Sequence, residues 1–383
     1  MIIALVLFWV SWSILAYHLV GYGAILYVIS RFKKTKSLDD TAITSYPRII
    51  ALCAAYNEEK EIEAKILSFL ALDYPKDRIK MIVISDDSTD KTNEIVSKYT
   101  TDSNIELIIQ KPRRGKQSAH NMVLPLLDCD YVLSTDANSI FAPDAVMLLV
   151  KKMLSDPKLG LVSGELRLIK AGDMQSGEGL YWRYESFLKK MDSEFKSIIG
   201  ANGSIFLIRR ELFTEVDPQS VDDFERTLIV LKKGYLAAYE PRAIVTEEET
   251  EKASQEISRK IRIITQQWHA MHRNKALLNP FRFPKISFIL ISHKLIRWLL
   301  FVFVITGFVS SAFLLGIWLY KLAFILQIIF YGLGLIGLAL QHTGIHFPFT
   351  GVATYFVAMV YSSAVALKNY FTNKNFGMWK PIR

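Results

Sequence analysis

The first thirty residues lack aspartate, glutamate, lysine and arginine altogether. An apolar run of this length can cross a hydrocarbon core of about 30 Å, so it predicts a membrane helix over residues 1–31. A secretory signal peptide carries its basic residues ahead of the apolar run, whereas here they follow it, at Arg31, Lys33, Lys34 and Lys36. The positive-inside rule therefore predicts an N-terminus outside the cell membrane and a chain that enters the cytosol after residue 31.

Cysteines, internal repeats and flexible linkers are also scarce. The two cysteines, Cys53 and Cys129, lie in or next to apolar strand-like runs, which indicates reduced core thiols rather than a disulfide. No stretch rich in proline, glycine or serine divides residues 47–250, so we expect them to form one domain. A hydrophobic content of 51% with 22% charged residues excludes both an ordinary soluble enzyme and a pure membrane bundle.

Long apolar stretches return after Pro284, at residues 298–318, 322–340 and 347–367, and predict membrane helices within residues 285–367. Three full crossings that start in the cytosol would place the basic tail, residues 368–383, outside the cell. That outcome opposes the inward bias of lysine and arginine. We therefore expect that one stretch is re-entrant or lies in the interface, and that the C-terminus is cytosolic, which makes a multi-pass protein of the cell membrane.

Residues 251–284 carry apolar side chains every three or four positions and basic side chains between them. This pattern predicts an amphipathic helix that lies in the headgroup plane of the lipid bilayer. The net charge of +9 suits anionic lipid, and because the basic residues flank membrane segments we expect no nucleic-acid partner. His269 and His272 lie on this helix without a third ligand, which favours a solvated face over a metal site.

Strand-like and helix-like segments alternate from residue 48 onward. Apolar runs at 48–55, 79–85, 105–110 and 131–135 have the length and β-branched composition of buried strands. Helical spacing of apolar residues separates the first two runs, and residues 91–99 are typical of a helix. This order predicts an α/β domain with a mostly parallel sheet covered by helices, whose loops at the strand ends are available for a nucleotide.

Three acidic clusters stand where apolar runs end: Asp86-Asp87, Asp136-Ala137-Asn138 and Asp222-Asp223. The carboxyl edge of a sheet is where open α/β folds bind ligands, which favours a functional site. For any one cluster, a helix cap or a turn is the alternative. The sharpest pattern is Asp136 with Asn138, because two oxygen-bearing side chains two residues apart can face one Mg²⁺ or Mn²⁺ ion.

A basic loop, Lys111-Pro112-Arg113-Arg114-Gly115-Lys116, lies between the first two clusters. Glycine lets the backbone approach a ligand and the cations can pair with phosphate oxygens, so the loop fits a diphosphate cradle. A solvated basic face is the alternative. Taken together, the acidic clusters and this loop are the parts that a nucleoside diphosphate with a metal ion needs.

The order of these motifs resembles the family 2 glycosyltransferases, membrane-integrated enzymes that include poly-N-acetylglucosamine, chitin-oligosaccharide, hyaluronan and cellulose synthases. The resemblance runs from Ala54-Ala55-Tyr56-Asn57-Glu58 to the last apolar stretch. It implies a Rossmann-like GT-A domain that binds a nucleotide sugar, expected to be a UDP-sugar. The nucleotide-sugar positions it implies are Ala55, Asn57, Glu58, Asp86, Asp87, Gly115, Lys116, Asn121 and Asp136.

The resemblance also implies roles around the reacting sugars. Asp136 and Asn138 match the metal-binding D-x-D, with an amide in place of the last carboxylate. The loop that contains Asn202, Gly203 and Ser204 matches the lining of the acceptor site. Asp223 matches the catalytic base and Asp222 its neighbour. Such a base deprotonates the acceptor hydroxyl while a cation neutralises the leaving diphosphate, which gives inversion at the anomeric carbon.

Processive members of the family carry Q-x-x-R-W, whose tryptophan stacks on the acceptor sugar. Here the residues are Ile264-Thr265-Gln266-Gln267-Trp268, so the tryptophan is present and the other two positions differ. Trp268 is a candidate acceptor platform, and an interfacial membrane anchor is the alternative. The C-terminal segment 379–383 resembles, loosely, the cytosolic W-x-T-R element of related synthases.

Three functions stay open. The first is synthesis and export of an extracellular polysaccharide. The second is a single transfer to a lipid-linked or oligosaccharide acceptor. The third is an inactive component of an export complex that binds a nucleotide or a glycan, against which the complete set of acids argues.

Overall fold

The structure, a computed structural model, describes residues 1–32, 43–101, 104–169, 177–248, 253–340 and 350–374. The predictions for Lys33, Lys34 and Lys36, for the start of the last apolar stretch at 347–349 and for the tail at 375–383 lie outside these ranges. The β-strands are β1 (Ile49–Ala55), β2 (Ile79–Asp86), β3 (Ile105–Gln110), β4 (Tyr131–Asp136), β5 (Ile140–Phe141), β6 (Leu159–Ile169), β7 (Ile205–Arg209) and β8 (Leu236–Glu248).

The α-helices within the same ranges divide between the two ends of the chain and the sheet domain. They are α1 (Ile2–Ala16), α2 (Tyr22–Arg31), α3 (Ile62–Leu70), α4 (Thr92–Ser97), α5 (Lys116–Val123), α6 (Ala145–Leu154), α7 (Gly177–Phe195), α8 (Asp222–Lys232), α9 (Ala253–Arg273), α10 (Pro284–Ile289), α11 (Ile296–Trp298), α12 (Leu300–Ala312), α13 (Trp318–Leu340) and α14 (Thr350–Phe371).

The strands form one sheet in the order β3-β2-β1-β4-β7-β6-β8-β5. β1, β2, β3 and β4 pair in parallel, as do β6 and β8, whereas β7 runs antiparallel to both of its neighbours. The apolar run of β1 is buried except for the partly exposed Ala54, because helices cover both faces of the sheet. The predicted α/β fold with a mostly parallel sheet is therefore confirmed, with an antiparallel β7 inserted at its centre.

Strand register brings the polar strand ends to one edge. Ala54 pairs with Asp136 on β4, Ala55 pairs with Ser85 on β2, and Asp86 in turn pairs with Gln110 on β3. Because parallel strands end at the same edge of a sheet, the residues that follow β1, β2 and β4 emerge side by side.

Membrane-type helices flank this domain. In the described part of the chain, three helices are long and apolar enough to cross a membrane: Ile2–Arg31, Trp318–Leu340 and Gly351–Phe371. The predicted stretch at 298–318 is different, because the helix breaks at Leu299 and its two parts, Pro284–Trp298 and Leu300–Ala312, meet at 60°. The break follows Trp298, a fully buried ring that packs against Phe224 of α8 at 5.9 Å between centroids.

Buried ionic contacts join the membrane-type helices to α7. Glu185 on α7 accepts hydrogen bonds from Arg297 at 2.7 Å and Lys294 at 3.4 Å. Further along the same helix, Asp192 accepts one from the Tyr22 hydroxyl of α2 at 2.5 Å and contacts His293 at 2.5 Å. Charged groups buried to this degree remain charged only when they are paired, so these contacts fix α7 between α2 and residues 293–297.

Candidate functional site

Two of the predicted acids face each other across Gly203, which lies in the loop before β7. A Cβ atom built on Gly203 would lie 3.6 Å from Oδ2 of Asp223 and 3.9 Å from Oδ2 of Asp136. Asp136 ends β4 and Asp223 opens α8, so two elements far apart in sequence supply the pair. The structure thus brings together the residues that the sequence assigned to the metal, the base and the acceptor loop.

The two adjacent aspartates of α8 differ in environment. Asp222 is buried and is held by Arg226 Nε, with Ser134 Oγ at 3.3 Å and His120 Nδ1 at 3.4 Å. Burial alone raises the pKa of Asp222, but Arg226, His120 and Lys116 outweigh it and hold that pKa well below its usual range. Asp222 is therefore a permanent anion that takes part in a buried ion pair.

The pKa of Asp223 is shifted in the opposite direction. Its burial, followed by the negative charge of Asp222, raises the pKa of the Asp223 carboxyl above its ordinary value, although Lys189 and Lys116 oppose the shift. Neighbouring acids whose pKa values are pushed apart take different roles, and the one with the raised pKa is the better proton acceptor. The geometry agrees, because the carboxylate of Asp223 faces Gly203.

Asp136 is paired with a cation. Lys116 Nζ, at the first turn of α5, lies 2.5 Å from Asp136 Oδ1, and both side chains are partly exposed. Burial lowers the pKa of Lys116, but Asp136, Asp222 and Asp223 outweigh it and raise that pKa. The three carboxylates therefore hold Lys116 as a cation at this edge of the sheet.

The donor set around Asp136 is also compatible with one divalent cation. Asp136 Oδ2 points towards Gly203, and Asn138 is exposed on the turn that follows β4. Magnesium-type ions are commonly held by one or two protein oxygens and complete their shell with phosphate oxygens and water. Among the described residues, no group of three or more histidine, cysteine, aspartate or glutamate side chains forms a metal cage. A cation would thus be shared with the phosphates of a ligand.

Asp86 and Asp87 diverge at the end of β2. Both oxygens of Asp86 are used inside the protein: Oδ1 accepts from Arg114 N at 2.9 Å and Oδ2 from Gly115 N at 2.8 Å. The buried Asp86 therefore shapes the basic loop. Asp87 adopts a left-handed backbone conformation at φ 60° and makes no hydrogen bond or ion pair within the described part of the chain. Its carboxylate, unlike that of Asp86, is therefore available to a ligand.

The loop after β1 is tied to the loop after β2. Asn57, which also has a positive φ of 53°, accepts a hydrogen bond from Thr89 N at 2.7 Å. Glu58 N donates to Thr92 Oγ1 at 2.7 Å. Ala55, the third predicted residue here, is the last residue of β1, directly before this loop. Asn57 and Glu58 thereby fix the two loops against each other at the nucleotide edge.

The contact between Tyr56 and Arg113 was not predicted from the sequence, which placed Arg113 only in the basic loop. The Arg113 guanidinium stacks 3.5 Å from the centroid of the Tyr56 ring, a cation–π contact between the first loop and the basic loop. The signal available in the sequence was an aromatic residue directly before Asn57, opposite an arginine in a loop rich in cations.

Three predicted amide and hydroxyl side chains hold the framework of the site. Asn121 bonds to Val216 in both directions, Nδ2 to the carbonyl at 2.7 Å and Oδ1 from the amide at 3.2 Å. Asn202 accepts a hydrogen bond from Lys189, and Ser204 Oγ donates to Glu247 at 2.6 Å. Lys189, on α7 beside the loop with Gly203, is a further residue that the sequence reasoning missed.

Trp268 lies away from the sheet edge, in an aromatic cluster. Its ring is 4.9 Å from that of Trp298 and 5.8 Å from that of Tyr370, between centroids, and it stacks on the latter. Its indole Nε1 is buried and has no hydrogen-bond partner among the described residues. Trp268 packs on Trp298, which packs on Phe224, the residue after Asp223, and the role of Trp268 as an acceptor platform stays a prediction.

The domain that carries this site matches a known family. The model described as Glycosyl transferase family 2 matches residues 51–217, from β1 to the loop before α8. Residues 51–217 form a family 2 glycosyltransferase domain. In this glycosyltransferase domain, the matched range includes Asp86, Asp87, Lys116, Asp136 and Gly203, while Asp223 follows it by six residues.

Whole-sequence relatives carry the same type of domain. The probable glycosyltransferase YdaM of Bacillus subtilis (strain 168) is 30% identical over 227 residues, which cover 54% of this chain and 51% of that protein. The poly-β-1,6-N-acetyl-D-glucosamine synthase of Staphylococcus aureus (strain COL) is 29% identical over 213 residues, with the same coverages of 54% and 51%. The chain thus spans about half the length of the curated relatives it matches.

A solved structure agrees with the fold over nearly the whole chain. It is the mannosyltransferase PcManGT from Pyrobaculum calidifontis in complex with GDP-Man and Mn²⁺, and it covers 96% of this chain and 100% of its own. The TM-score is 0.70 and the identity is 22%, which shows a shared fold. The expected GT-A fold of the glycosyltransferase domain is therefore confirmed.

Proposed function

We propose that this protein is a membrane-embedded, inverting glycosyltransferase that moves a sugar from a nucleoside-diphosphate sugar to a hydroxyl of a glycan or a lipid-linked acceptor. The observation that carries the proposal is the pair of carboxylates on either side of Gly203, one next to a cationic side chain and one with a raised pKa. A transfer of this kind needs positive charge at the leaving diphosphate and a base at the attacking hydroxyl.

The donor would lie across the carboxyl ends of β1, β2 and β4. Asp87 would accept hydrogen bonds from the ribose or the base, and the loop that Asp86 holds leads directly to Lys116, which would lie beside the diphosphate. Lys116 stabilises the negative charge that builds up on the leaving group. The resemblance predicts uridine as the nucleoside, and GDP-sugars are the alternative donors.

A bound Mg²⁺ or Mn²⁺ would supply Lewis-acid neutralisation of the diphosphate, and Asp136 and Asn138 are the side chains that would hold it. Because Asn138 is a neutral ligand, the protein would contribute one negative charge fewer than a D-x-D pair does. Lys116 already balances part of the diphosphate charge on the same side.

Asp223 would take the proton from the acceptor. Its carboxylate faces Gly203, where an absent side chain leaves room for a sugar ring. Attack by the deprotonated hydroxyl on the face opposite the diphosphate inverts the anomeric carbon without a covalent enzyme intermediate. The raised pKa of Asp223 favours a hydroxyl acceptor over a phosphate acceptor, because a phosphate is already nucleophilic at neutral pH and needs no base.

The relatives and the residues around Trp268 bear on the type of acceptor. A poly-β-1,6-N-acetyl-D-glucosamine synthase among them supports a role in polysaccharide synthesis. The incomplete Q-x-x-R-W element and the enclosed position of Trp268 favour a single transfer to a lipid-linked or oligosaccharide acceptor. An inactive binding component is disfavoured, because Asp136, Asp222 and Asp223 are all present with distinct environments.

A donor screen tests the proposal. The full chain in lipid nanodiscs with Mn²⁺ is given a panel of UDP- and GDP-sugars, and we expect release of the nucleoside diphosphate from one of them. Mass spectrometry of the product after limited turnover separates a polymer from a single addition. In the same assay Asp87→Ala is expected to raise the donor KM and leave kcat within a few-fold. No hydrolysis or transfer from any donor would contradict the enzyme proposal.

We also propose that the C-terminus is cytosolic because α14 does not cross the membrane. α13 starts near Phe8 and returns along α12, as the 3.1 Å bond from Gln327 to Ser311 shows. α14 then starts on the second half of α13, where Phe356 packs 5.6 Å from Phe330. It ends beside α9, where Tyr370 contacts His272 at 2.9 Å.

Because α9 is bound to α8 through the 2.6 Å ion pair of Arg273 with Glu225, the C-terminal end of α14 lies on the side of the catalytic domain. Lys374→Cys is therefore expected to react with a membrane-impermeant maleimide only after the cells are permeabilised. Phe313→Cys, on the opposite end of α12, is the matched control and should react in intact cells. The native thiols Cys53 and Cys129 are buried and give little background. Labelling of Lys374→Cys in intact cells would contradict this topology.

A further inference from the structure

A lysine without any exposed surface lies behind the turn that carries Asp136 and Asn138. Lys65 is on α3, on the same face as the buried Ile62 and Phe69. Its Nζ donates hydrogen bonds to Thr135 Oγ1 at 2.6 Å and to the carbonyl of Ser139 at 2.5 Å. Lys65 thus holds both ends of the turn that runs from the last residues of β4 to Ser139.

Burial of an ammonium group is costly, so packing alone would favour leucine or methionine at this position. The ring of Phe141 covers the ammonium at 3.5 Å from its centroid, which is a favourable cation–π contact. Burial lowers the pKa of Lys65 to about 7. A neutral amine still has two N–H groups, so the two hydrogen bonds are available in either protonation state.

Glu247, near the end of β8, holds the same turn from the other side. It accepts hydrogen bonds from Ser139 Oγ at 2.5 Å and from Ser204 Oγ at 2.6 Å. The Thr135 hydroxyl completes the connection, since it donates to the carbonyl of Ser204 at 2.9 Å. Lys65, Thr135, Ser139, Ser204 and Glu247 form one buried network, which we call the brace.

The brace joins the two halves of the site. One half is the turn with Asp136 and Asn138, and the other is the loop with Gly203, which faces Asp223. Neither Lys65 nor Glu247 reaches the front of the site, where Lys116 lies against Asp136. Side chains behind a ligating carboxylate set its orientation, and this matters more when the neighbouring ligand is a neutral amide.

We infer that Lys65 and Glu247 are positioning residues, which hold Asp136 and Asn138 in the orientation that binds a divalent cation together with a nucleoside diphosphate. The inference rests on the proposed function and adds to it two residues that contact neither donor nor acceptor.

The inference is tested by measuring how tightly the full chain in nanodiscs binds Mn²⁺ in the presence of UDP or GDP. Electron paramagnetic resonance detects the bound Mn²⁺. Lys65→Met removes both hydrogen bonds at similar side-chain volume and is expected to weaken Mn²⁺ binding by about 10–100-fold. Lys76→Met is the matched control, because Lys76 bonds the Leu70 and Leu72 carbonyls at 2.6 and 2.7 Å, at the other end of α3. This control should bind Mn²⁺ as the wild type does.

Glu247→Met is measured in parallel, since it removes the oxygen that accepts from both Ser139 and Ser204 at similar side-chain volume. We expect it to weaken Mn²⁺ binding and to raise the donor KM with a smaller change in kcat. Unchanged Mn²⁺ affinity in folded Glu247→Met or in folded Lys65→Met would overturn the inference and leave the proposed function standing. A wild type that binds no Mn²⁺ with either nucleoside diphosphate would overturn both.

Discussion

Asp223→Asn is expected to lower the turnover of sugar transfer by about 10²–10⁴-fold, the range that a positioned general base contributes. The amide cannot accept the acceptor proton, yet it has the size of the carboxylate and can still bond to Phe224 N, as Asp223 does at 2.7 Å. The dissociation constant for the donor should stay within a few-fold of the wild type, because the proposed donor contacts are made by Asp87, Lys116 and Asp136 and not by Asp223. Steady-state kinetics and donor titration calorimetry measure the two quantities.

Asp217→Asn is the matched control, an acid before α8 that contacts Arg273 at 3.3 Å and should leave turnover near that of the wild type. The pH profile gives an independent check. Asp223 works only when it is deprotonated, so activity falls as the pH falls through its pKa, and burial and Asp222 raise that pKa. The acidic limb of kcat/KM should therefore lie above about 4, the value of an unperturbed aspartate. Equal turnover of Asp223→Asn and wild type would refute the assignment.

Arg226→Met is expected to cost about 3–5 kcal/mol of stability, because it leaves Asp222 as an uncompensated buried charge. Arg226 is almost fully buried, covers the ring of Phe213 at 3.6 Å from its centroid and donates to the Thr214 carbonyl at 2.8 Å. Met fills most of the same volume, so loss of the charge should dominate over loss of packing. Thermal and denaturant unfolding of the full chain in detergent measure the change.

The double variant Asp222→Asn with Arg226→Met removes both charges and is expected to recover part of the lost stability. Arg48→Met is the surface control, since its ion pair with Asp128 at 2.8 Å is largely exposed to solvent and should contribute little. If Arg226→Met were as stable as Arg48→Met, the buried pair would not hold the start of α8.

The parallel part of the fold could be predicted because local signals and long-range structure agree there. The runs that became β1, β2 and β4 are buried on both faces, so their continuous apolar sequence marks them with nearly the observed ends. The antiparallel insertion of β7 between β4 and β6 could not be predicted. Strand order depends on which edges meet in the folded chain, and no local pattern in residues 205–209 specifies that.

The candidate site, like the fold, could be predicted from the sequence only in part. The order of motifs brought Asp136, Gly203 and Asp223 to one place, but it could not tell which way each side chain points. Asp86 accepts hydrogen bonds from the basic loop, and Asn121 bonds to Val216, so neither side chain points to a ligand. Lys65 was overlooked although its position three residues after Ile62 gives it a core-facing place on α3, and a lysine at such a place is a signal for a buried polar network.

The contact of Trp298 with Phe224 has a consequence for how the enzyme can be handled. Phe224 follows Asp223 directly, and the inner face of α8, with Leu228 and Leu231, is covered by Trp298 and neighbours from residues 264–298. A shortened protein that ends after β8 would retain the sheet and the loops at its edge but expose this hydrophobic surface of α8. Such a fragment could still bind a nucleotide, but the helix that carries Asp223 would lose the packing that supports it. The residues around Trp298 therefore serve both the attachment to the membrane and the position of Asp223.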